Sequence, residues 1–382
     1  MPRKSKKNKT RRPGHFFLPG LPKIKNMWLE KLKLTNFRSY SKAEFSFASK
    51  TNLILGSNAI GKTNLLEAIY LLGTGLSFRA EVAGQMISWQ KDFGVAEGKV
   101  KESQEEVNLL IQLQKTPGGL TKKNFLLDGL AKSRKLFLPN FFTVCFRPED
   151  IRLVSGPPER RRKLIDEILL VLDWRYQQSL RVYNKALKQR NRLLDEIKER
   201  KSQFSELFYW DSALIKNGQF LTEQRKKLVD FFNQFLFSSP HQFLSQISLA
   251  YLPNPVTSQR LRNSLKKDVE SGYTGVGPHK DIFFIESRQF KAANKNIAFW
   301  GSRAQQRLAV LGLKLAQLEH IYQQTKRRPV LLLDDIFSEL DPVQQKLLQK
   351  IFTDHQVIIT SSHPLSLDYF SFENQIVLKE DK

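Results

Sequence analysis

Only one cysteine, Cys145, occurs in 382 residues, so the chain cannot form an internal disulfide. It stands in the apolar run Phe141-Phe-Thr-Val-Cys-Phe146 and reads as a buried, inert thiol. Long hydrophobic runs are missing as well. Stretches such as Val330-Leu-Leu-Leu333 fall far short of the ~20 residues that span a bilayer, so the sequence predicts a cytoplasmic protein without a membrane partner. Acidic residues are scarce. Against 37 Asp and Glu stand 62 Lys and Arg, a net charge of +25, and such a field gathers polyanions, nucleic acid first among them. No internal repeat is visible.

Residues 1–26 contain nine of the basic residues and no acid, with prolines at 2, 13, 19 and 22. This composition predicts disorder. Phe16-Phe-Leu18 is too short for the apolar core of a signal peptide. The segment reads either as a basic DNA-binding tail or as the product of an upstream start, since Met27 directly precedes the first patterned strand. Setting the segment aside still leaves 53 basic against 37 acidic residues, a net +16.

From Met27 the alternation Trp28-Leu-Glu-Lys-Leu-Lys-Leu34 predicts a half-buried strand, followed by strands at 43–47 and 52–55 and a helix over 63–72. Residues 93–147 read as short strands separated by turns. Between 151 and 235 the texture becomes helical: Tyr176, Leu180, Tyr183, Leu187, Leu194 and Ile197 recur at heptad spacing, with Arg181, Lys185, Lys188 and Arg192 on the opposite face. That basic stripe is either a solvated helix face or a contact for a phosphate backbone. Strands return at 246–251 and 281–285, a helix is expected over 303–325, and apolar strands follow at 330–333 and 356–360. The expected fold is α/β (α+β mixed): a head whose halves, 27–150 and 236–382, are split in sequence by a helical arm, 151–235.

Gly56, Ser57, Asn58, Ala59, Ile60, Gly61, Lys62 and Thr63, with Asn64 next, fit the phosphate-binding pattern G-x-x-x-x-G-K-[ST] between a strand and a helix. Glycines let the backbone curl so that successive N–H groups and the helix N-terminus face phosphate oxygens. Lys62 would reach the β- and γ-phosphates of ATP, and the Thr63 hydroxyl would ligate Mg²⁺. Val330-Leu-Leu-Leu-Asp-Asp335 ends a buried strand in two acids. Asp334 would sit in the Mg²⁺ sphere, and Asp335 would orient or deprotonate the attacking water. These assign Lys62, Asp334 and Asp335 to catalysis.

Gly301-Ser-Arg-Ala-Gln-Gln-Arg307 opens a helix before the acidic strand and resembles the signature of ABC ATPases; Ser338-Glu-Leu-Asp341 resembles their D-loop. In that group a signature serine from one subunit completes the nucleotide site of another, so the resemblance implies an ATP-dependent homodimer in which Ser302 and Gln305 contact the partner's nucleotide. Leu34-Thr-Asn-Phe-Arg-Ser-Tyr40 is similar to the opening of the SMC-like branch. Pro148-Glu-Asp-Ile-Arg-Leu-Val-Ser-Gly-Pro-Pro158 with Arg161, Arg162 and Asp166, then Lys188-Gln-Arg-Asn-Arg-Leu-Leu194, Gly277-Pro-His-Lys-Asp281 and Leu331–Asp341, resemble the RecF family of bacterial recombination-repair ATPases. The likeness extends from Met27 onward. It implies binding of double-stranded and gapped DNA, action with RecR and RecO so that RecA is loaded, and slow, DNA-stimulated ATP hydrolysis. It also implies that Arg38 and Ser39 lie near the nucleotide, Glu149 in a loop equivalent to the Q-loop, and Arg79 near the ATP or DNA surface. His279 reads as a site contact or a turn residue, and His363 only loosely matches a switch histidine. Ala304 stands where glycine is usual, Leu164 where an aromatic is commoner, and Ile282 where a second acid often follows Asp281.

Two other readings compete. An overcoming-lysogenisation-defect nuclease would carry an appended acidic metal-binding domain, for which the stretch after Asp341 is expected to be too short. A basic protein that merely coats DNA would not be expected to keep Lys62, Thr63, Asp334 and Asp335 together.

Overall fold

The computed structural model describes residues 27–288, 295–336, 354–364 and 371–379, with single positions between 344 and 352. The D-loop residues Ser338–Asp341 and the tail 1–26 lie outside the described residues. In chain order the elements are β1 (Met27–Phe37), β2 (Tyr40–Ser46), β3 (Thr51–Leu55), α1 (Lys62–Thr74), β4 (Phe93–Glu102), β5 (Glu105–Lys115), β6 (Thr121–Leu127), β7 (Leu130–Lys132) and β8 (Thr143–Phe146). The longer helices α2 (Pro158–Leu172), α3 (Trp174–Lys198) and α4 (Leu207–Phe237) follow. Then come β9 (Ile247–Leu252), α5 (Ser258–Ser271), β10 (Ile282–Ser287), α6 (Arg303–Thr325), β11 (Val330–Asp334), β12 (Val357–Ser361) and β13 (Asn374–Val377).

Two sheets build the head. One is antiparallel, ordered β2-β1-β4-β5-β6-β7; the other is parallel, ordered β13-β3-β12-β11-β8. Leu29, Leu32 and Leu34 are all buried, although the first two are three residues apart and would face opposite sides of a regular strand. A bulge between Leu29 and Lys31 in the β1–β4 register resolves this by putting both on the core side. Strands β3, β11 and β12 are buried along their whole length, which is why they read as continuous apolar runs rather than alternations.

Helix α1 lies between the two sheets, and Leu65, Leu66, Ala68, Ile69, Leu71 and Leu72 are fully enclosed. A helix apolar on nearly every side is stable only in such a sandwiched position. The buried Gln356 side chain joins the layers beyond it: its amide accepts from Leu29 N (2.8 Å) and donates to the Leu29 and Ala48 carbonyls (both 2.8 Å).

In the arm, α3 and α4 pack as an antiparallel hairpin. Tyr176, Tyr183, Arg190 and Ile197, seven residues apart, form its buried stripe. Arg190 takes an apolar place in that repeat, with Nε donating to Asp211 (2.6 Å) and Nη1 to Asp268 (2.9 Å) and Thr274 (2.7 Å). Strands β9 and β10 pair with each other in a separate ribbon that packs on α4 and α2. Arg225 of α4 ties this ribbon to the arm. It donates to both carboxylate oxygens of Asp166 on α2 (3.0 and 2.9 Å) and to Asp281 at the start of β10 (2.8 Å). Asp281 also accepts from Tyr251 Oη and Asn254 N, both at 2.7 Å, while Arg162 Nη1 donates to its carbonyl (2.6 Å). Arg161, buried, donates to the Leu153 and Gly156 carbonyls (both 2.9 Å) and to that of Phe283.

Removing one member of a buried ion pair strands the other charge, at a cost of about 3–5 kcal/mol. Arg225→Ala is therefore expected to lower the unfolding free energy read from a urea titration by that amount, and the urea midpoint with it. Arg192→Ala, which removes a solvent-exposed pair with Glu196, should leave the midpoint almost unchanged. Equal midpoints for the two variants would refute the role given to Arg225.

Candidate nucleotide site

The carboxyl ends of the parallel strands lie level. Ile54 pairs with Thr360, Thr360 with Asp334, and Leu333 with Phe146, so Gly56, Asp335 and Arg147 emerge at one edge, where ligands of open α/β sheets bind. The loop from Gly56 to Gly61 fills the gap between β3 and α1. Gly61 caps α1 with φ 115°, a left-handed conformation that glycine adopts at little cost. At Gly56 a Cβ would come within 2.8 Å of Ile60 Cγ2. At the far end of α1, Lys123 Nζ donates to the Gly75 carbonyl (2.8 Å) and Arg134 Nη2 to that of Thr74 (3.0 Å). Cations there complement the negative end of the helix dipole, while the positive end faces the loop.

Asn58, Ala59, Gly61, Lys62, Thr63, Asn64, Asp334 and Asp335, with Arg79, Arg147 and Glu149, line a cavity of about 450 Å³. Lys62 is buried; its ammonium donates to the Gly56 (2.8 Å) and Ser57 (3.1 Å) carbonyls and lies 3.7 Å from Asp335 Oδ2. The Thr63 hydroxyl donates to Asp334 Oδ1 (3.1 Å), as does Thr360 Oγ1 (2.8 Å). Asp335 has φ 47°, and its N–H donates to Thr360 Oγ1 (3.0 Å). Burial pushes the Asp334 carboxyl above its ordinary range. The two hydroxyls oppose the shift, and the charges of Asp335 and Glu149 add to it.

Among the described residues no group of three or more His, Cys, Asp or Glu could hold a metal. One carboxylate and one hydroxyl, Asp334 and Thr63, do fit a magnesium ion that takes its other ligands from phosphates and water.

Ser39 and Arg38 separate. Ser39 Oγ accepts from Asn64 Nδ2 (2.9 Å) beside Gly61. Arg38 lies a turn further along α1, with Nε and Nη2 donating to the buried Glu67 carboxylate (2.7 and 2.8 Å), and it is not among the lining residues. Arg79 reaches the site through Asn64 Oδ1 (2.9 Å). Ser302 and Gln305 form a capping box at the start of α6, outside this cavity and with Ser302 exposed. Ala304 lies in the first turn of the same helix, also exposed.

His279 belongs to the arm, its ring held between Tyr183 Oη (2.6 Å) and the Thr274 carbonyl (2.8 Å). His363 is exposed and outside the cavity. Sequence reasoning assigned no role to Thr360 or Arg147. The former ends an apolar strand as an ordinary β-former. The latter stacks on Phe78 (4.6 Å to the ring centroid) and pairs with Asp150 (2.9 Å), contacts that no spacing announces.

A parallel sheet carrying this loop and two acids, interrupted by a helical arm, defines an ATP-binding ABC-type ATPase of the SMC-like kind. The sequence matches the RecF/RecN/SMC N terminal domain family over residues 28–371. The chain belongs to the RecF family. It is 33% identical over 342 residues to the DNA replication and repair protein RecF of Lachnoclostridium phytofermentans, covering 87% of this chain and 92% of that one. Against the protein of the same name from Bacillus thuringiensis, identity is 34% over 374 residues, with 93% and 96% covered. The solved structure of the recombination mediator protein RecF-ATPrS in the RecFOR pathway matches with a TM-score of 0.80 and 30% identity, covering 93% of this chain and 96% of that one.

A carboxyl whose pKa is raised on folding opposes folding above that raised pKa, and the cost vanishes below the unfolded value. Asp334→Asn is therefore expected to raise the melting temperature of the nucleotide-free protein at pH 7, with the gain shrinking as pH falls towards 4. A variant that melts lower at pH 7 would contradict the burial argument.

Proposed function

We propose that the protein is a slow, DNA-stimulated ATPase that closes into a homodimer on ATP. In that form it binds duplex DNA beside single-strand gaps in the cytoplasm and acts with RecR and RecO to help load RecA. The observation that carries this reading is the division of the catalytic set: Lys62, Thr63, Asp334 and Asp335 share one cavity, whereas Ser302 and Gln305 stand outside it. A second copy of the chain would bring its exposed capping box against the open side of the cavity, adding a helix N-terminus and a hydroxyl to the phosphate site.

In this mechanism Lys62 exchanges its contacts with the Gly56 and Ser57 carbonyls for the β- and γ-phosphates of ATP. Magnesium bound by Thr63 and Asp334 would supply charge neutralisation between the phosphates. Asp335 orients the attacking water. Glu149 acts from the loop after β8, and Arg79 senses the site through Asn64. Arg38 and Ser39 serve from β1–β2, the first by bracing α1 through Glu67 and the second beside Gly61. Ala304 is compatible with closure because its place in a right-handed helix gives its backbone a negative φ, which alanine favours. DNA is attracted by the excess of basic residues, for which the exposed Arg181, Lys185 and Lys188 on α3 offer phosphate contacts.

Sedimentation with and without ATP tests the dimer. Lys62→Ala is expected to stay monomeric with ATP. Asp335→Asn should bind ATP and accumulate as a dimer because hydrolysis slows by at least tenfold. A wild-type chain that stays monomeric with ATP, or an Asp335→Asn chain hydrolysing at the wild-type rate, would overturn this reading. Binding to duplex DNA should weaken with salt at a log–log slope of about −0.9 per phosphate contacted, and a slope near zero would remove the electrostatic basis of the DNA contact.

A further inference from the structure

We propose that Trp89 is a stacking platform for an unpaired DNA base, set at one end of the antiparallel head sheet in the turn that precedes β4 and is bonded to the β1–β2 turn. Trp89 is 88% exposed, more than any other large hydrophobic side chain among the described residues. The turn that carries it is held on both sides. Ser88 N–H donates to the Asn36 carbonyl (2.9 Å) and Ser88 Oγ to that of Arg38 (2.8 Å). Lys91 N–H donates to the Ser88 carbonyl (3.1 Å), and Lys115 N–H to that of Asp92 (2.8 Å). Gln90, with φ 59°, adopts the left-handed conformation that a non-glycine residue keeps only when its surroundings impose it. The indole is thus presented to solvent by an ordered turn.

Chemistry around the indole favours nucleic acid. Lys91 is in the same turn, Lys115 is bonded to it, and Lys122 pairs opposite Gln114 at the same end of the sheet. All three are exposed. The neighbouring exposed acids are Asp92 and Glu81, so the rim is net positive, in keeping with the +25 of the chain. Exposed Phe93 and Leu120 extend the apolar surface along the same edge. An exposed aromatic side chain with lysines at the same end of the sheet fits single-stranded nucleic acid, in which bases stack on the ring while cations follow the phosphates. In a paired duplex the base faces are already stacked. Trp89 would therefore distinguish an unpaired base beside a gap from continuous duplex.

The turn is also joined to the ATP site. Ser88 is bonded to Arg38, which holds Glu67 of α1, and the adjoining Ser39 meets Asn64 at the start of that helix.

This inference rests on the DNA-binding reading above, and the test separates the two. The full chain with ATP is titrated with a duplex interrupted by a single-stranded thymidylate gap and with the same duplex fully paired. The expected results are quenching of tryptophan fluorescence by the gapped DNA that disappears in Trp89→Phe, and gapped-DNA binding about 5- to 100-fold weaker in Trp89→Ala. Affinity of Trp89→Ala for paired duplex and for ATP should be unchanged. Unchanged gapped-DNA affinity in Trp89→Ala, as expected of a protein-docking surface, would overturn the inference while leaving the DNA-binding reading standing. So would an equal loss on both DNAs. If the wild-type chain bound neither DNA, the DNA-binding reading would fall and the inference with it.

Discussion

The register of the parallel sheet is the constraint on which the site depends. Ile54, Thr360 and Asp334 are neighbours across three strands, and this alone brings the phosphate loop and the acidic pair, far apart in sequence, to the same edge. Thr360 makes the register chemical: its one hydroxyl donates to the Asp334 carboxylate and accepts from Asp335 N–H. Because side chains alternate faces along a strand, a slip of one residue would turn Thr360 to the opposite face, away from Asp334. The pairing of β3, β12 and β11 therefore sets the geometry of the candidate ATP site as well as that of the core.

Away from that edge, buried guanidinium groups do much of the organising. Arg190 links the two long arm helices to α5 and Thr274. Arg225 and Arg162 join α4 and α2 to the turn before β10, and Arg161 gathers carbonyls from two segments, 153–156 and β10. Several residues that carried the resemblance to the RecF family, Arg161, Arg162, Asp166, His279 and Asp281, belong to this framework rather than to the nucleotide cavity. A guanidinium suits the task because its planar fork of five donors satisfies carboxylates and carbonyls at once without losing its charge. Buried pairs of this kind contribute little net stability relative to apolar packing, yet they penalise wrong arrangements heavily, and here they fix where the ribbon and α5 sit on the hairpin.

The nucleotide cavity is strongly polar and one-sided. Its cations, Lys62, Arg79 and Arg147, have protein partners that a phosphate would have to displace or share, and Asp334 is held by hydroxyls rather than by a cation. The signature helix α6 is anchored at its middle by Lys314, which pairs with Asp150 at 3.1 Å, in the segment that also carries Glu149. The exposed Ser302 end and the cavity-lining Glu149 thus belong to connected elements although they face different surroundings.

Much of this was legible in the sequence. The phosphate loop, the strand–acid run and the capping serine are local patterns whose chemistry follows from residue type and short spacing: Gly61 and Lys62 must adjoin to curl the loop and place the ammonium, and Ser302 needs only Gln305 to cap its helix. The apolar runs at 330–333 and 356–360 likewise identify strands buried on both faces. What the sequence left open were pairings made at a distance. The runs 246–251 and 281–285 read as strands, but only the fold showed that they pair with each other rather than with a head sheet. Nothing in the sequence marked Arg190 or Arg225 as buried, because the acids that offset the burial of their charges lie far along the chain, outside any local window. Arg38 and Ser39 are adjacent in sequence yet serve different neighbours, Glu67 and Asn64, since the turn between β1 and β2 sends their side chains to different levels of α1. Local conformational preference is written into short stretches of chain, whereas the partners of buried polar groups are chosen by the packing of whole elements, and that choice exists only in the folded molecule.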